Sequence, residues 1–282
     1  MVELANLTAR EATETTTRRF GDLELSGTLR GRADERPPLV LLHGLSFDRR
    51  MWEPALAALS AGDPGRQVLA LDLPGHGDSP MQPSADVIDV AAGVASAVED
   101  AGLAAPVVVG HSIAAIIATV YASVHSARGI VNVDQPLDVG FAAMLQANRE
   151  VVTGPAFPAL WANLRAAMGI DLLSAEARAL LDTGTPRQDT VLAYWREALE
   201  MHPAELQAKS DETVASLREQ HLPYLVVAGH AWERGELARL HDALPQAKVE
   251  VIPDSGHFPH LRDPARFADY LATTGAWTRA DV

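Results

Sequence analysis

VVVGHSIAA, residues 107–115, joins a short apolar run to the mouth of a helix. A bounded apolar run of this kind reads as a buried strand, and the apolar stretch 113–126 that follows reads as a helix. Between them stands Ser112, expected two residues past the strand. A sharp strand-to-helix turn pushes such a hydroxyl out of the sheet and aims the next backbone N–H at a developing oxyanion. The small residues Gly110 and Ala114 leave room for that turn. A serine at a helix mouth is also a common N-cap, so the nonamer by itself leaves both readings open.

Similar apolar runs recur on either side: 39–42, QVLALDL at 67–73, GIVNVD at 129–134, YLVVAG at 224–229 and KVEVIP at 248–253. Helical stretches lie between them at 51–61, 85–103, 236–243 and 264–273. Strands alternating with helices imply right-handed crossovers and a mostly parallel sheet covered on both faces, the α/β class. FGDLELSGTLRG at 20–31 reads as a hairpin ahead of that sheet. The alternation breaks once. From 135 to 220 no strand run is evident, and 141–152, 157–168, 175–182 and 190–201 all look helical. The expected organisation is a core of residues 1–135 and 221–282 with a helical cap at 136–220.

The 282 residues carry 37 acids against 23 bases, a formal charge of -14, and no cysteine. An acidic surface repels phosphate backbones and anionic lipid heads, which argues against nucleic acid and membrane partners. Without cysteine there is no disulfide framework, thiolate nucleophile or thiolate metal site, and Ser112 is the sole nucleophile expected at the turn. The first 20 residues contain no apolar stretch of signal-peptide length, so a cytoplasmic protein is the default expectation. No GxGxxG follows a strand and no HExxH occurs, so neither a cofactor nor a metal is expected.

In open parallel sheets ligands sit beyond the carboxyl ends of the strands. Two further loops there attract attention. VIPDSGHFPHLRDP places His257 four residues past the last predicted strand, and a histidine is the side chain best suited to take a hydroxyl proton near neutral pH. LVLLHGLSFDRRMW ends a strand at His43-Gly44, so the N–H of Leu45 can join that of Ile113 in an oxyanion hole. His43 and His111 read as packing and hydrogen-bonding residues of these loops.

HG, PGHGDS, GHS and SGHFPHL, in this order and spacing, resemble the α/β-hydrolase family over residues 20–271. The elbow departs from the family pattern at Ala114, where a third glycine is usual. The resemblance implies a triad acid, commonly placed after the strand YLVVAG, where this chain has Trp232 with Glu233 beside it. That segment is also about three residues shorter than the family leads one to expect. A second family solution, found in haloalkane dehalogenases and fungal zearalenone-type lactone hydrolases, puts the acid after the preceding strand. There RGIVNVDQPL supplies Asp134, which is favoured over Glu233.

The resemblance therefore implies a serine esterase or lactonase acting through Ser112, His257 and Asp134 and an acyl-enzyme. Carbon–carbon bond hydrolase, cofactor-free haloperoxidase, hydroxynitrile lyase and slow-turnover ligand receptor are the alternatives. Phe141, Phe157, Trp161, Tyr194 and Trp195, with three methionines, read as the core of the cap. If some of them line the cleft, the partner is an uncharged, hydrophobic small molecule. The cap's 12 acids and 7 bases point the same way.

Overall fold

The structure, a computed structural model, describes residues 15–183, 186–272 and 277. Eight strands form one sheet in the order β1-β2-β4-β3-β5-β6-β7-β8. They are β1 (Thr15–Phe20), β2 (Leu25–Arg30), β3 (Leu39–Leu42), β4 (Val68–Leu71), β5 (Val107–His111), β6 (Gly129–Val133), β7 (Tyr224–Ala228) and β8 (Lys248–Val251). β1 and β2 make the expected hairpin, beginning at Thr15 rather than Phe20, and β2 runs antiparallel to β4. All other pairings are parallel.

The central strands are apolar throughout because both faces are covered. Successive side chains alternate between the two layers. Leu39 and Leu41 join Val107, Val109, Trp52 and Phe267 on one side. Val40 and Leu42 join Val108, Ile117 and Tyr121 on the other. The helices are α1 (Glu53–Gly62), α2 (Val87–Asp100), α3 (Ile113–Val124), then α4 to α9 between β6 and β7, then α10 (Arg234–Ala243), α11 (Pro259–Arg262) and α12 (Pro264–Ala272). Thr273 and the first 14 residues, on which the expectation about an export signal partly rests, lie outside the described residues.

The segment between β6 and β7 is helical, as its lack of strand runs suggested: α4 (Gly140–Ala147), α5 (Arg149–Thr153), α6 (Phe157–Ala167), α7 (Ala175–Leu180), α8 (Gln188–Glu200) and α9 (Pro203–Glu219). The sequence reading missed α9. Its 17 residues, PAELQAKSDETVASLRE, bury only Val214 and Leu217, so the apolar periodicity is too thin to register. Pro203 in the first turn and the His202 ring, whose Nδ1 accepts from the Ala204 N–H at 3.2 Å, start it instead. Among the described residues no helix is long and apolar enough to cross a membrane.

Register positions the site. Leu42 pairs with Gly110 and Gly110 with Asn132, so β3, β5 and β6 end at one level. His43-Gly44, Ser112 and Asp134 therefore emerge side by side at the same edge of the sheet.

Candidate active site

β5 runs through His111, so Ser112 follows the strand directly rather than two residues beyond it. The backbone turns there in one residue, with Ser112 at φ 56 and ψ −133. Such a conformation is disfavoured for any residue with a side chain and persists only where the surroundings enforce it. Here the Ser112 N–H donates to the Val133 carbonyl at 3.0 Å and the Ser112 carbonyl accepts from Ala115 N–H at 2.7 Å. A Cβ on Gly110 would run into the Ala114 carbonyl, so glycine is required at that position. Ala114 itself is accommodated, fully buried. The Ser112 side chain does not cap α3, which removes the N-cap reading.

His257 follows β8 by six residues, because that strand stops at Val251. Its Nδ1 meets Asp134 Oδ2 at 2.7 Å. Asp134 Oδ1 accepts from the Gly229 N–H at 2.8 Å. An ionised carboxylate only accepts, so Nδ1 carries the proton and Nε2 is left as the basic nitrogen. Asp134 adopts φ 57, a left-handed conformation that aspartate tolerates better than most residues. Its N–H donates to Val227 O at 3.0 Å. The buried Asn132 side chain brackets the same turn: its Nδ2 donates to Gln135 O at 2.8 Å and its Oδ1 accepts from Gln135 N–H at 3.0 Å.

Glu233 lies elsewhere. It is exposed and caps α10, forming a reciprocal capping box with Glu236. Trp232 is half-buried against the core. The structure thus brings Asp134, and not Glu233, to His257.

His111 links these loops. Its Nε2 lies 2.7 Å from the His257 carbonyl, so that nitrogen carries the proton and donates, and its ring stands 4.6 Å from the His257 ring. A Cβ on Gly44 would collide with His111 Nδ1 and come within 3.3 Å of Ser112 Cβ, which shows how closely the His43-Gly44 loop approaches the elbow. No hydrogen bond joins Ser112 Oγ to His257 in the structure as it stands. Leu45 N–H and Ile113 N–H both lack acceptors among the described residues, and Ile113 opens α3, where the first N–H groups have no intrahelical partner.

Four histidines surrounding this centre are buried: His43, His76, His111 and His260. Burial pushes His43 down to about 4, His76 and His260 down to about 3, and His111 well below the ordinary histidine value. They are neutral structural groups. His43 Nε2 accepts from the Leu73 N–H at 2.9 Å, and His76 Nε2 accepts from the Ser46 N–H at 2.9 Å. His260 packs 4.5 Å from Trp52 with neither nitrogen bonded. Among the described residues no three metal-binding side chains are gathered together.

Phe157, Trp161, Tyr194 and Trp195 are buried within the core, whereas Phe141, also expected there, is 44% exposed. A cleft of about 320 Å³ between the insertion and the His43-Gly44 loop is instead polar, lined by Ser46, Asp48, Arg50, His76, Thr183 and Arg187 among others. Met168, in the insertion, sits on the His257 turn, its carbonyl accepting from the His257 N–H at 2.8 Å. The sequence reading missed Asn132, His76 and Thr183. For Asn132 a signal existed: one polar residue inside the apolar run GIVNV.

A family profile described as "Alpha/beta hydrolase family" matches residues 39–270. Among curated proteins, the chain is 25% identical over 252 residues to the 2-succinyl-6-hydroxy-2,4-cyclohexadiene-1-carboxylate synthase of Serratia proteamaculans (strain 568), covering 86% of this chain and 93% of that protein. A 44-residue stretch is 46% identical to the pimeloyl-(acyl-carrier protein) methyl ester esterase of Legionella pneumophila (strain Paris), 16% of this chain and 17% of that one. Among solved structures, an N-acyl homoserine lactonase complexed with N-hexanoyl homoserine superposes with a TM-score of 0.68 at 20% identity, over 96% of this chain and 99% of the other.

Proposed function

The chain belongs to the α/β-hydrolase family, and on that premise we propose that it is a serine hydrolase cleaving a carboxylic ester or lactone of an uncharged substrate; the hydrophobic substrate expected from the cap aromatics loses its support, because all but Phe141 are buried and the neighbouring cleft is polar. The observation that carries the reading is the 2.7 Å bond between His257 Nδ1 and Asp134. It fixes the tautomer in which Nε2 can remove a proton, and it places a carboxylate where it steadies the imidazolium that results.

In the proposed reaction His257 Nε2 takes the Ser112 hydroxyl proton as Oγ attacks the carbonyl carbon. The carbonyl oxygen becomes an oxyanion held by the N–H groups of Leu45 and Ile113. Collapse of the tetrahedral intermediate breaks the ester carbon–oxygen bond, His257 gives its proton to the leaving alkoxide, and the acyl group stays on Ser112. Water activated by His257 then releases the acid. The positive-φ elbow supports this by presenting Oγ beyond the sheet edge, and the Met168 carbonyl holds the His257 N–H. The acidic chain disfavours anionic substrates.

A second reading keeps the site and changes the chemistry, with carbon–carbon bond hydrolysis, haloperoxidase or hydroxynitrile lyase activity. One observation favours it: the relative aligned over 93% of its length is named a synthase.

A fluorophosphonate probe tests the site, and a panel of esters and lactones of rising acyl size tests the reaction. Wild-type protein labels at Ser112 and turns over the panel steadily, and Ser112→Ala does neither. Labelling without turnover of any ester or lactone would transfer support to the second reading. No labelling would remove both. Large apolar lactones turned over better than short acetates would restore the hydrophobic-substrate expectation.

A further inference from the structure

The loop from Gly44 to Phe47 carries three consecutive peptide groups, and each is held by a side chain from a different place. The Gly44–Leu45 peptide, whose N–H is the proposed oxyanion donor, has its carbonyl bonded to His43 Nδ1 at 2.8 Å and accepts also from Phe47 N–H at 3.2 Å. The Leu45–Ser46 peptide donates its N–H to His76 Nε2 at 2.9 Å. The Ser46–Phe47 peptide accepts from Thr183 Oγ1 at 2.6 Å. Ser46 itself sits at φ 67, a conformation its own side chain does not favour.

Two of these three supports lead to the insertion. Thr183 lies between α7 and α8. His76 is oriented by its Nδ1–H bond to the Pro74 carbonyl at 2.9 Å, and the same carbonyl accepts the Tyr194 hydroxyl at 3.0 Å, with the Tyr194 ring edge-on to His76 at 5.3 Å. Burial keeps His76 neutral, so its Nε2 stays an acceptor across the working pH range. Thr183 is the most exposed of the supports, and the one that can be changed with least disturbance to packing.

We propose that the helical insertion sets the oxyanion hole, and that Thr183 is a positioning residue: its hydroxyl, by holding the Ser46 carbonyl, fixes the direction in which the Leu45 N–H points. The catalytic consequence rests on the hydrolase reading above, whereas the positional one does not. Oxyanion donors contribute through preorganisation, so a loop freed at one of its three peptides loses rate without losing ground-state binding.

The test compares Thr183→Val, which keeps the shape and removes the donor, with Thr183→Ser, which keeps the donor. The readouts are kcat and KM for an activated ester and backbone amide exchange over residues 45–47. In Thr183→Val, kcat falls about tenfold while KM stays within about twofold, the split expected when stabilisation is lost only in the transition state. Exchange at 45–47 rises about tenfold, as expected for a loop that opens more often. Thr183→Ser restores both to within about threefold of wild type. Unchanged exchange and kcat in Thr183→Val would overturn the proposal. A loss that Thr183→Ser fails to restore would do so too, since the methyl and not the hydroxyl would then be responsible. Should the wild type turn over no ester, the hydrolase reading falls and exchange alone decides: raised in Thr183→Val and restored in Thr183→Ser sustains the clamp, unchanged overturns it.

Discussion

The loops after β6 and β7 leave adjacent parallel strands at the same edge of the sheet, and each offers a carboxylate. They use it in opposite ways. After β6 the chain turns immediately into the left-handed region at Asp134, and Asn132 holds the turn from within the strand, so the carboxylate faces His257. After β7 the chain runs on to α10, and Glu233 spends its side chain on the helix N-terminus. What the β7 loop contributes is backbone: the Gly229 N–H on Asp134 Oδ1, and a missing Cβ where the Gly256 carbonyl passes. The nature of a side chain thus matters less than which backbone group its turn leaves unsatisfied.

The comparison breaks most visibly at Asp134. Asp134→Asn is expected to lower kcat/KM by about 10⁴-fold with little change in Tm, since the amide disfavours the required histidine tautomer. Steady-state kinetics beside a thermal melt decide it, and a loss confined to Glu233→Gln would reverse the assignment. Gly229→Ala should cost about 10²-fold in kcat/KM, because the new methyl displaces the Gly256 carbonyl and with it the His257 turn. An unchanged rate would mean that the β7 loop contributes nothing.

Acid sharpens the contrast between the two sides of the site. His230, in the β7 loop, is exposed, whereas His43, His76, His111 and His260 are buried with their proton affinity lowered. Between the unfolded value near 6.5 and the folded values, the unfolded chain binds protons that the folded one does not, so stability falls as pH falls through that window. His43, His76 and His260 each cost about 2 kcal/mol at pH 5 relative to neutral pH. His260→Phe should therefore shrink the drop in Tm between pH 7.5 and pH 5 by roughly 4 °C. An equal drop in the variant and the wild type would show that His260 is not held neutral.

The smallest effect is expected at Glu233→Gln. A glutamine retains part of the cap, so stability falls by about 0.5 kcal/mol and kcat/KM stays within about twofold of wild type.

Strand-and-turn chemistry was legible because it is local. Three apolar residues, a glycine and a serine announce the elbow, and Ser255-Gly256 before His257 announces a turn. Asp134 could be read only by weighing two loops against each other, because an aspartate after a strand has many uses. Thr183 and His76 were not legible as supports of the Gly44–Phe47 loop. Their partner, Ser46, is 137 residues from Thr183, and nothing in TGT or PGHG names a carbonyl or an N–H so far away. The helix α9 escaped for a different reason: it is held by its start, by the pair Lys209–Glu197 at 2.5 Å and by Ser216 on the Ser123 carbonyl at 3.1 Å, none of which has an apolar signature.

β6 and β7 pair directly, Ile130 beside Tyr224, although more than eighty residues separate them in the chain. The insertion consequently leaves and re-enters the sheet at neighbouring points, and an exchange of that whole segment between relatives need not disturb the register of any strand. Such an exchange has a natural seam. Asn132 grips both the N–H and the carbonyl of Gln135, so a graft joined after Gln135 replaces the helical insertion and leaves Asp134 seated. New insertions can in this way be tried by recombination one residue beyond Asp134, provided that the graft again supplies a hydroxyl for the Ser46 carbonyl and a carbonyl for the His257 N–H.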